Sequence, residues 1–419
     1  MFRRGLIMVV CALVPGLLAT GLAGVAWAIE PDMQRYNQVE LGRYLVSVAD
    51  CTACHSDPGG GAPFAGGRSI ETPFGNIRTP NITPDVQTGI GAWTDEQFDD
   101  AVRRGIGRNG ARLYPAMPYP SYTKMSRDEV LAIRSYLKTI TPARNAVEAN
   151  TLPFPFNIRT AMRVWDGLFF TPGEFKPDPQ KPPEWNRGAY LVQGPGHCGA
   201  CHTPKNFLGG DKGSEFLRGS YLQGWFAPDL TNDEASGLGR WSVGDIVSYL
   251  HDGHNAVSGA VGPMAEEVMH SSSQMHDEDL KAIATYLKSL PGKNQGVAQI
   301  DPNDPAMRAG EAIYRDVCSA CHGIDRKGVA QLFPSLADSA ALRAADPTTL
   351  IRLVLRGSRS VATDKEPTAP GMPSFGWQLD DAKVAAVLTY LRNAGGPAAS
   401  AVTAGAVKKA RRALEARSD

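Results

Sequence analysis

The chain has 419 residues, 42% of them hydrophobic, and its 43 basic and 43 acidic residues cancel to a formal net charge of zero. This length is enough for two to four domains, each with its own hydrophobic core. The balanced charge argues against nucleic acid as a partner, because nucleic-acid binding requires a concentration of basic residues.

The first 28 residues have the features of a signal peptide. Arg3 and Arg4 form a basic start, an apolar run extends from Leu6 to Ala19, and Ala26-Trp27-Ala28 fits the small-X-small rule for cleavage. We therefore expect an exported protein whose mature chain begins near Ile29. An uncleaved amino-terminal anchor is the alternative, although the apolar run is short for a membrane span, and no later stretch reaches the roughly 20 apolar residues that a span needs.

The pentapeptide Cys-X-X-Cys-His occurs three times, as Cys51-Thr52-Ala53-Cys54-His55, Cys198-Gly199-Ala200-Cys201-His202 and Cys318-Ser319-Ala320-Cys321-His322. This motif attaches c-type haem: two thiols bond to the porphyrin vinyl groups, and the histidine becomes one axial ligand of the iron. A zinc site would instead need four ligands around one metal, whereas more than a hundred residues separate each cysteine pair from the next. The seventh cysteine, Cys11, lies in the expected signal peptide. We predict three covalently attached haem c groups, held by Cys51, Cys54, Cys198, Cys201, Cys318 and Cys321.

The three motifs divide the chain into repeated units. A glycine and an aromatic residue precede each motif: Gly42 and Tyr44, Gly188 and Tyr190, Gly310 and Tyr314. Each unit ends in an amphipathic pattern around a tyrosine, over 133–138, 283–288 and 387–392. The apolar spacing of these segments is helical. Each unit is therefore expected to have one helix before its haem motif and one at its end.

Units one and two are near duplicates. Asn81-Ile82-Thr83-Pro84-Asp85 corresponds to Asp229-Leu230-Thr231-Asn232-Asp233, and each is followed by a tryptophan that opens a helix. Thr94 and Ser242 are the expected N-caps of these helices, because their hydroxyl groups can accept hydrogen bonds from free backbone N–H groups. Unit three lacks the tryptophan, and its middle helix is expected near Asp346-Pro347-Thr348.

The second axial ligand of each iron decides whether the haem only transfers electrons or keeps an open position for oxygen or peroxide. Met117 and Met264 each follow their motif histidine by 62 residues. In the shorter unit three, Met372 follows by 50 residues and precedes a proline, as Met117 does. We predict three His/Met irons with these axial ligands: His55 and Met117, His202 and Met264, His322 and Met372.

Other residues compete for these roles. Met125, Met269 and Met275 also precede the final helices of their units, where methionine commonly fills a core. Unit two also contains four histidines that could give bis-His ligation: His251, His254, His270 and His276. His197, directly before Cys198, is expected to be a loop residue.

Two further segments have an open role. Thr151 to Glu184 is rich in proline, as expected for a semi-rigid spacer, and contains an apolar stripe at helical spacing: Ile158, Met162, Trp165 and Phe169. The stripe either packs on the chain's own domains or forms a docking face for a partner subunit or the bilayer surface. After Gly395 the chain is Ala-rich and then basic, which fits either a frayed terminus or a helix on an anionic membrane surface.

Four segments carry a family resemblance: Asn81 to Asp85, Leu113 to Ser121, Gly194 to Pro204, and Gly237 to Ser242. They resemble the triple-haem cytochrome c subunits of bacterial membrane-bound dehydrogenases. This family serves quinoprotein alcohol and aldehyde dehydrogenases and flavin-dependent gluconate, sorbitol and fructose dehydrogenases. The resemblance spans units one and two and is looser in unit three.

The resemblance implies a mainly α protein of three tandem class I cytochrome c domains joined by Pro-rich connectors. It implies a subunit that passes electrons from a catalytic dehydrogenase subunit to ubiquinone, attached peripherally to the periplasmic side of the inner membrane. The catalytic subunit would carry pyrroloquinoline quinone, flavin or molybdenum, and the complex can include a small third subunit. The expected division is signal peptide 1–28, domain 1 at 29–150, connector with an amphipathic helix 151–183, domain 2 at 184–292, linker 293–304, domain 3 at 305–398 and basic tail 399–419.

The sequence contains no substrate chemistry of its own. It has no dinucleotide-binding glycine fingerprint and no paired carboxylates or Ser/His/Asp set that would mark a dehydrogenase active site. Two alternatives to the dehydrogenase subunit remain open. One is a free periplasmic or oxidase-linked multihaem shuttle; the other is a haem peroxidase, which requires an iron with an exchangeable ligand.

Overall fold

The computed structural model describes residues 31–293, 296–329, 332–337, 339–395 and 398–417. The predicted signal peptide, its cleavage site and Cys11 lie outside the described residues. The described chain is mainly helical, with three two-stranded antiparallel sheets. This confirms the predicted fold class of three mainly α domains.

Domain 1 carries its haem motif directly after its first helix. Its elements are α1 (Pro31–Val48), α2 (Cys51–His55), β1 (Ser69–Thr72), β2 (Gly75–Arg78), α3 (Asp95–Arg104), α4 (Tyr119–Tyr122) and α5 (Arg127–Leu137). The predicted N-cap is confirmed: the Thr94 hydroxyl accepts a hydrogen bond from the Gln97 N–H, and the Gln97 side chain accepts one from the Thr94 N–H.

Domain 2 repeats this order after the connector helix α6 (Met162–Phe169). Its elements are α7 (Pro183–Gln193), α8 (Gly199–His202), β3 (Arg218–Leu222), β4 (Trp225–Asp229), α9 (Val243–Asp252), α10 (Pro263–His270) and α11 (Asp277–Ser289). Ser242 caps α9 with the same reciprocal pair of bonds, here with Asp245, so this prediction is also confirmed.

Domain 3 is the divergent copy. Its elements are α12 (Pro305–Ile313), α13 (Ser319–His322), α14 (Ala340–Arg343), α15 (Thr348–Arg356), β5 (Ser358–Arg359), β6 (Gly371–Met372) and α16 (Asp381–Asn393). One turn of π-helix, Tyr314–Cys318, joins α12 to α13. The middle helix begins where the sequence predicted.

The first and last helices of each domain cross at a glycine. A Cβ atom on this glycine would lie about 2 Å from a backbone carbonyl oxygen of the last helix, so no larger residue fits without moving the helices apart. The pairs are Gly42 with Ala132 (1.9 Å), Gly188 with Ala282 (1.9 Å) and Gly310 with Ala386 (2.2 Å). A tyrosine one turn further along covers each crossing: Tyr136, Tyr286 and Tyr390. The repeated glycine and tyrosine of the sequence are thus the two sides of one helix contact.

Two equivalent hydrogen bonds join domains 1 and 2, one donated by each domain to the other. The Tyr44 hydroxyl in α1 donates to Asp279 at the start of α11 (2.5 Å). In return, the Tyr190 hydroxyl in α7 donates to Glu129 at the start of α5 (2.7 Å). Because Tyr44 and Tyr190 occupy the same repeat position, as do Glu129 and Asp279, the interface has approximate twofold symmetry.

The connector between domains 1 and 2 is an ordered strap, defined here as residues 151–172. Its Asp166 is buried, accepts a hydrogen bond from the Tyr119 hydroxyl (2.6 Å) and pairs with Arg112 (3.1 Å). Trp165 is also buried, and its indole N–H donates to the Leu208 carbonyl (2.9 Å). Ile158, from the predicted stripe, lies outside the helix and is exposed, so only part of the stripe packs on the domains.

Domain 3 packs on the β-hairpin of domain 2. The Phe226 N–H donates to the Thr349 hydroxyl (2.8 Å), which donates back to the Phe226 carbonyl (3.0 Å). The guanidinium of Arg352 lies 4.3 Å from the centre of the Trp225 ring. Domain 2 therefore contacts both of the others, and Arg417 near the end of the chain also pairs with Glu71 of domain 1.

The basic tail is part of domain 3. It forms helix α17 (Ala404–Glu415), whose Val407 and Leu414 are buried in the domain 3 core, while Arg411 pairs with Asp381 (2.8 Å). A frayed terminus is therefore the wrong prediction for this segment. The apolar side of α17 is already occupied and is not available to a membrane.

Candidate haem sites

Each haem motif is a short helix, and in domain 3 this helix continues directly from the π-helical turn Tyr314–Cys318. In domains 1 and 2 the residue before the first cysteine has a left-handed backbone, with φ of 46° at Asp50 and 35° at His197. These turns break the preceding helix and redirect the chain into the motif. None of the six described cysteines forms a disulfide, and no group of three or more His, Cys, Asp or Glu side chains in the described residues is placed to hold a metal ion.

The three motif histidines are oriented in the same way. The Nδ1 atom of each faces a proline carbonyl oxygen: His55 with Pro80 (2.8 Å), His202 with Pro228 (2.7 Å) and His322 with Pro334 (3.4 Å). When Nδ1 carries the proton and donates it to the carbonyl, Nε2 is left unprotonated and able to bind a metal. The carbonyl thus fixes both the tautomer and the ring orientation.

Burial lowers the pKa of all three imidazoles, opposed by the proline carbonyl bond. Each ring is therefore neutral at pH 7, which is the form that coordinates iron. Burial also raises the pKa of the Cys51, Cys54 and Cys198 thiols to about 12.

The prolines are functional residues that the sequence analysis missed. They lie at different distances after their histidines, so a fixed spacing cannot find them. A shared local pattern could have identified these prolines. Each is followed by one polar residue and then isoleucine or leucine: Pro80-Asn81-Ile82, Pro228-Asp229-Leu230 and Pro334-Ser335-Leu336.

The predicted axial methionines are half-buried next to the domain cores. Met117 packs on the domain 1 core, where Cys51 also lies, and Met372 packs on the domain 3 core with Cys318. Met264 lies in the first turn of α10, beside a small cluster of Ala260, Val268 and Val361, separate from the main core of domain 2.

The competing residues have other contacts or surroundings. Met125 and Met275 are buried in the cores of domains 1 and 2, as expected of core fillers, whereas Met269 is exposed. The His276 ring stacks on Tyr44 (4.2 Å between centres), and His251 Nδ1 contacts Asp252 (2.8 Å).

The haem motifs of domains 1 and 2 lie on the twofold interface. The Tyr122 hydroxyl of domain 1 donates to the Ala49 carbonyl (2.6 Å), and its ring packs edge-on against His197 of domain 2 (5.5 Å between centres). The Cys201 thiol lies close enough to contribute to the raised pKa of Cys54, after burial and Asp50. The interface therefore brings the two attachment segments face to face.

The residues present fit a covalently attached haem. Each motif offers two cysteines that form no disulfide and a neutral histidine whose Nδ1 already faces a carbonyl oxygen. In domain 2, the indole N–H of Trp241 is buried and has no hydrogen-bond partner in the described chain. Such a donor needs an acceptor, and the propionate groups of a haem can provide one.

The comparisons with known proteins agree with this geometry. A model of the cytochrome c family matches residues 39–141, 186–291 and 307–395. The chain is 39% identical to the gluconate 2-dehydrogenase cytochrome c subunit of Pantoea cypripedii, over 92% of both chains. It is 38% identical to the cytochrome c subunit of the quinone alcohol dehydrogenase of Gluconacetobacter polyoxogenes, over 93% of this chain and 87% of the relative. It is also 38% identical to the fructose dehydrogenase cytochrome subunit of Gluconobacter japonicus, over 89% of this chain and 82% of the relative.

The fold and the three sites define a multidomain c-type cytochrome, and the chain belongs to the cytochrome c family. More particularly, it is an electron-transfer subunit with three cytochrome c domains, each built for covalent haem c. The resemblance inferred from the sequence segments is thereby confirmed.

Proposed function

We propose that this chain receives electrons from a catalytic dehydrogenase subunit and passes them to ubiquinone at the periplasmic side of the inner membrane. The observation that carries the proposal is the similarity, over more than four-fifths of both chains, to cytochrome subunits of three different dehydrogenases. In the described residues, no helix has the length and apolarity to cross a bilayer. Attachment through the surface of the protein or through a partner is consistent with that finding.

The haem-binding residues of this proposal are those of the three motifs. Cys51 and Cys54, Cys198 and Cys201, and Cys318 and Cys321 would form the thioether bonds. His55, His202 and His322 would supply one axial ligand each, and Met117, Met264 and Met372 the other. When bound, haem supplies the one-electron chemistry, while the protein controls ligation, solvent access and nearby hydrogen bonds.

The order of the domains suggests the route. The attachment segments of domains 1 and 2 face each other across the twofold interface, and domain 2 also contacts domain 3. We therefore place domain 2 between domains 1 and 3 in the relay, with electrons entering or leaving through domains 1 and 3. The chain's own task is to keep three neutral histidines and three methionine sulfur atoms in place and to hold the sites close together.

Copurification tests the proposal. An affinity-tagged chain, isolated from detergent-solubilised membranes, should bring down a catalytic dehydrogenase subunit. The partner's substrate should then reduce the haems of this chain, tested across alcohols, aldehydes, sugars and sugar acids. A chain that purifies alone, and whose haems none of these substrates reduces, would instead be the free or oxidase-linked shuttle.

A further inference from the structure

We propose that one face of the strap docks on the surface of an anionic phospholipid bilayer. This inference rests on the membrane location proposed above and identifies the surface that makes the contact. The face consists of seven exposed apolar residues, which we call the apolar face: Phe154, Phe156, Ile158, Val164, Leu168, Phe207 and Leu208.

Exposed apolar side chains are concentrated in the apolar face. The described residues include seventeen exposed large apolar side chains, and these seven lie within residues 154–168 and 207–208. Phe154 is 79% exposed and Phe207 is 86% exposed, so both rings project from the surface. Single exposed apolar residues are common on soluble proteins, but a group of this size marks a contact with something apolar.

Contacts beneath the surface join the two segments into one face. The Trp165 indole N–H donates to the Leu208 carbonyl, so α6 is tied to the 207–208 turn. The Phe74 ring of domain 1 packs on Phe156 (4.9 Å between centres) and also lies beside Gly209, where an added Cβ would be 3.1 Å from the ring. The strap and the turn are therefore neighbours.

The apolar face is held rigidly. The Tyr114 hydroxyl donates to the Phe156 carbonyl (2.9 Å), and the buried Asp166 anchors α6 through Tyr119. Burying Trp165 on one side of α6 turns Val164 and Leu168 outward on the other. Their exposure follows from fixed packing, so the face is available without prior unfolding.

The charges around this face select the partner. Within the strap the only acidic residue is Asp166, which is buried, whereas Arg159 and Arg163 are exposed. An apolar surface accompanied by two exposed arginines, on a strap whose one carboxylate is buried, is complementary to anionic headgroups above an acyl layer. The exposed Asp211, three residues after Leu208, is paired with Lys205, so its charge is offset locally. Projecting phenylalanine and leucine side chains suit insertion into that layer, because they carry no polar group that would lose its hydrogen bonds to water there. We therefore assign the face to lipid.

Vesicle binding tests the assignment on the exported, haem-loaded chain in the absence of detergent. The wild type should sediment with vesicles of phosphatidylglycerol and phosphatidylethanolamine. Leu168→Ser combined with Phe207→Ser should weaken this binding at least tenfold. Arg163→Glu should weaken binding to these vesicles but not to phosphatidylcholine vesicles. The matched control is Trp377→Ser, which changes an 83% exposed apolar residue of domain 3 and should bind like the wild type.

An unchanged haem absorption spectrum shows that the variants are folded. Wild-type affinity in the double variant would overturn the assignment while leaving the proposed electron transfer intact. The assignment would also be overturned if the double variant bound vesicles normally but no longer copurified with a dehydrogenase subunit. The apolar face would then belong to a protein interface. A failure of the proposed electron transfer would be seen in a separate measurement. In detergent solution, the haems of the double variant should accept electrons from the dehydrogenase as those of the wild type do.

Discussion

The hydroxyl of Tyr44 in domain 1 donates a hydrogen bond to Asp279 in domain 2, 235 residues later in the chain, at 2.5 Å. The same carboxylate accepts two further bonds from Arg187, each of 2.7 Å. Tyr190 of domain 2 and Glu129 of domain 1 repeat the contact in the opposite direction, so the two similar domains form a symmetric pair. This pairing is what sets the haem motifs of domains 1 and 2 opposite each other.

Replacing Asp279 with Asn should weaken the pairing of domains 1 and 2. The change removes the charge that accepts the Tyr44 hydrogen bond from domain 1 and that Arg187 contacts within domain 2. We expect a loss of about 1 to 3 kcal/mol, at the lower end because Arg187 is partly exposed. Asp277→Asn, on the exposed first turn of the same helix, is the control and should have little effect. Equilibrium denaturation of the purified protein measures both. Equal losses in the two variants would contradict a specific role for Asp279.

The same carboxylate predicts an acid sensitivity. Burial raises the pKa of Asp279, but the hydrogen bonds from Arg187 and Tyr44 outweigh it, so the pKa is lower than in the unfolded chain. A depressed pKa contributes stability that is present above the unfolded value of 3.8 and is lost as the pH falls below it. The Asp279→Asn variant should therefore lose less stability than the wild type between pH 5 and pH 3. A thermal unfolding series across this range, with the same slope in both proteins, would refute the assignment.

Gly188→Ala should disrupt domain 2. The added methyl group would lie 1.9 Å from the Ala282 carbonyl oxygen, so α7 and α11 must separate, at a cost of about 1 to 3 kcal/mol or more. Gly244→Ala in α9 of the same domain has no atom closer than 3.6 Å and should be neutral or slightly stabilising. Thermal unfolding separates the two, and a stable, haem-loaded Gly188→Ala protein would show that the helices do not cross this closely.

Met264→Ala should change the ligation of one haem out of three. The loss of a sixth ligand alters the low-spin spectrum of that iron, which magnetic circular dichroism can detect. Met275→Leu is the matched control, because Met275 is buried in the domain 2 core and its replacement should preserve ligation. Three unchanged six-coordinate irons in Met264→Ala would transfer the ligand role to another residue.

The tail helix should matter for stability more than for membrane attachment. Leu414 is buried in the domain 3 core, so Leu414→Ala should cost about 2 to 3 kcal/mol, whereas Lys408→Ala on the exposed side of α17 should cost little. Both variants should keep the wild-type membrane-bound fraction in cell fractionation. Release of Lys408→Ala from the membrane would contradict this view of the helix.

Much of this organisation was predictable because it depends on local chemistry. The haem motifs, the N-caps Thr94 and Ser242, and the paired helices around Gly42, Gly188 and Gly310 all follow from short patterns repeated along the chain. The contacts between repeats were not predictable. Tyr44 and Asp279 are far apart in sequence, and neither residue differs by itself from an ordinary residue on a helix surface. The tail shows the same limit. Its basic residues are visible in the sequence, but the core that receives Val407 and Leu414 is formed by distant helices.

The most direct test of the central claim is substrate-driven ubiquinone reduction by the purified complex, with the absorbance of this chain's haems followed in the same experiment. The relay predicts that the haems are reduced before quinone reduction begins and are reoxidised when quinone is added in excess. It also predicts that replacing His202 of the central domain with Ala stops quinone reduction while substrate oxidation with an artificial acceptor continues. Quinone reduction at the wild-type rate in that variant, or while the haems remain oxidised, would contradict the account.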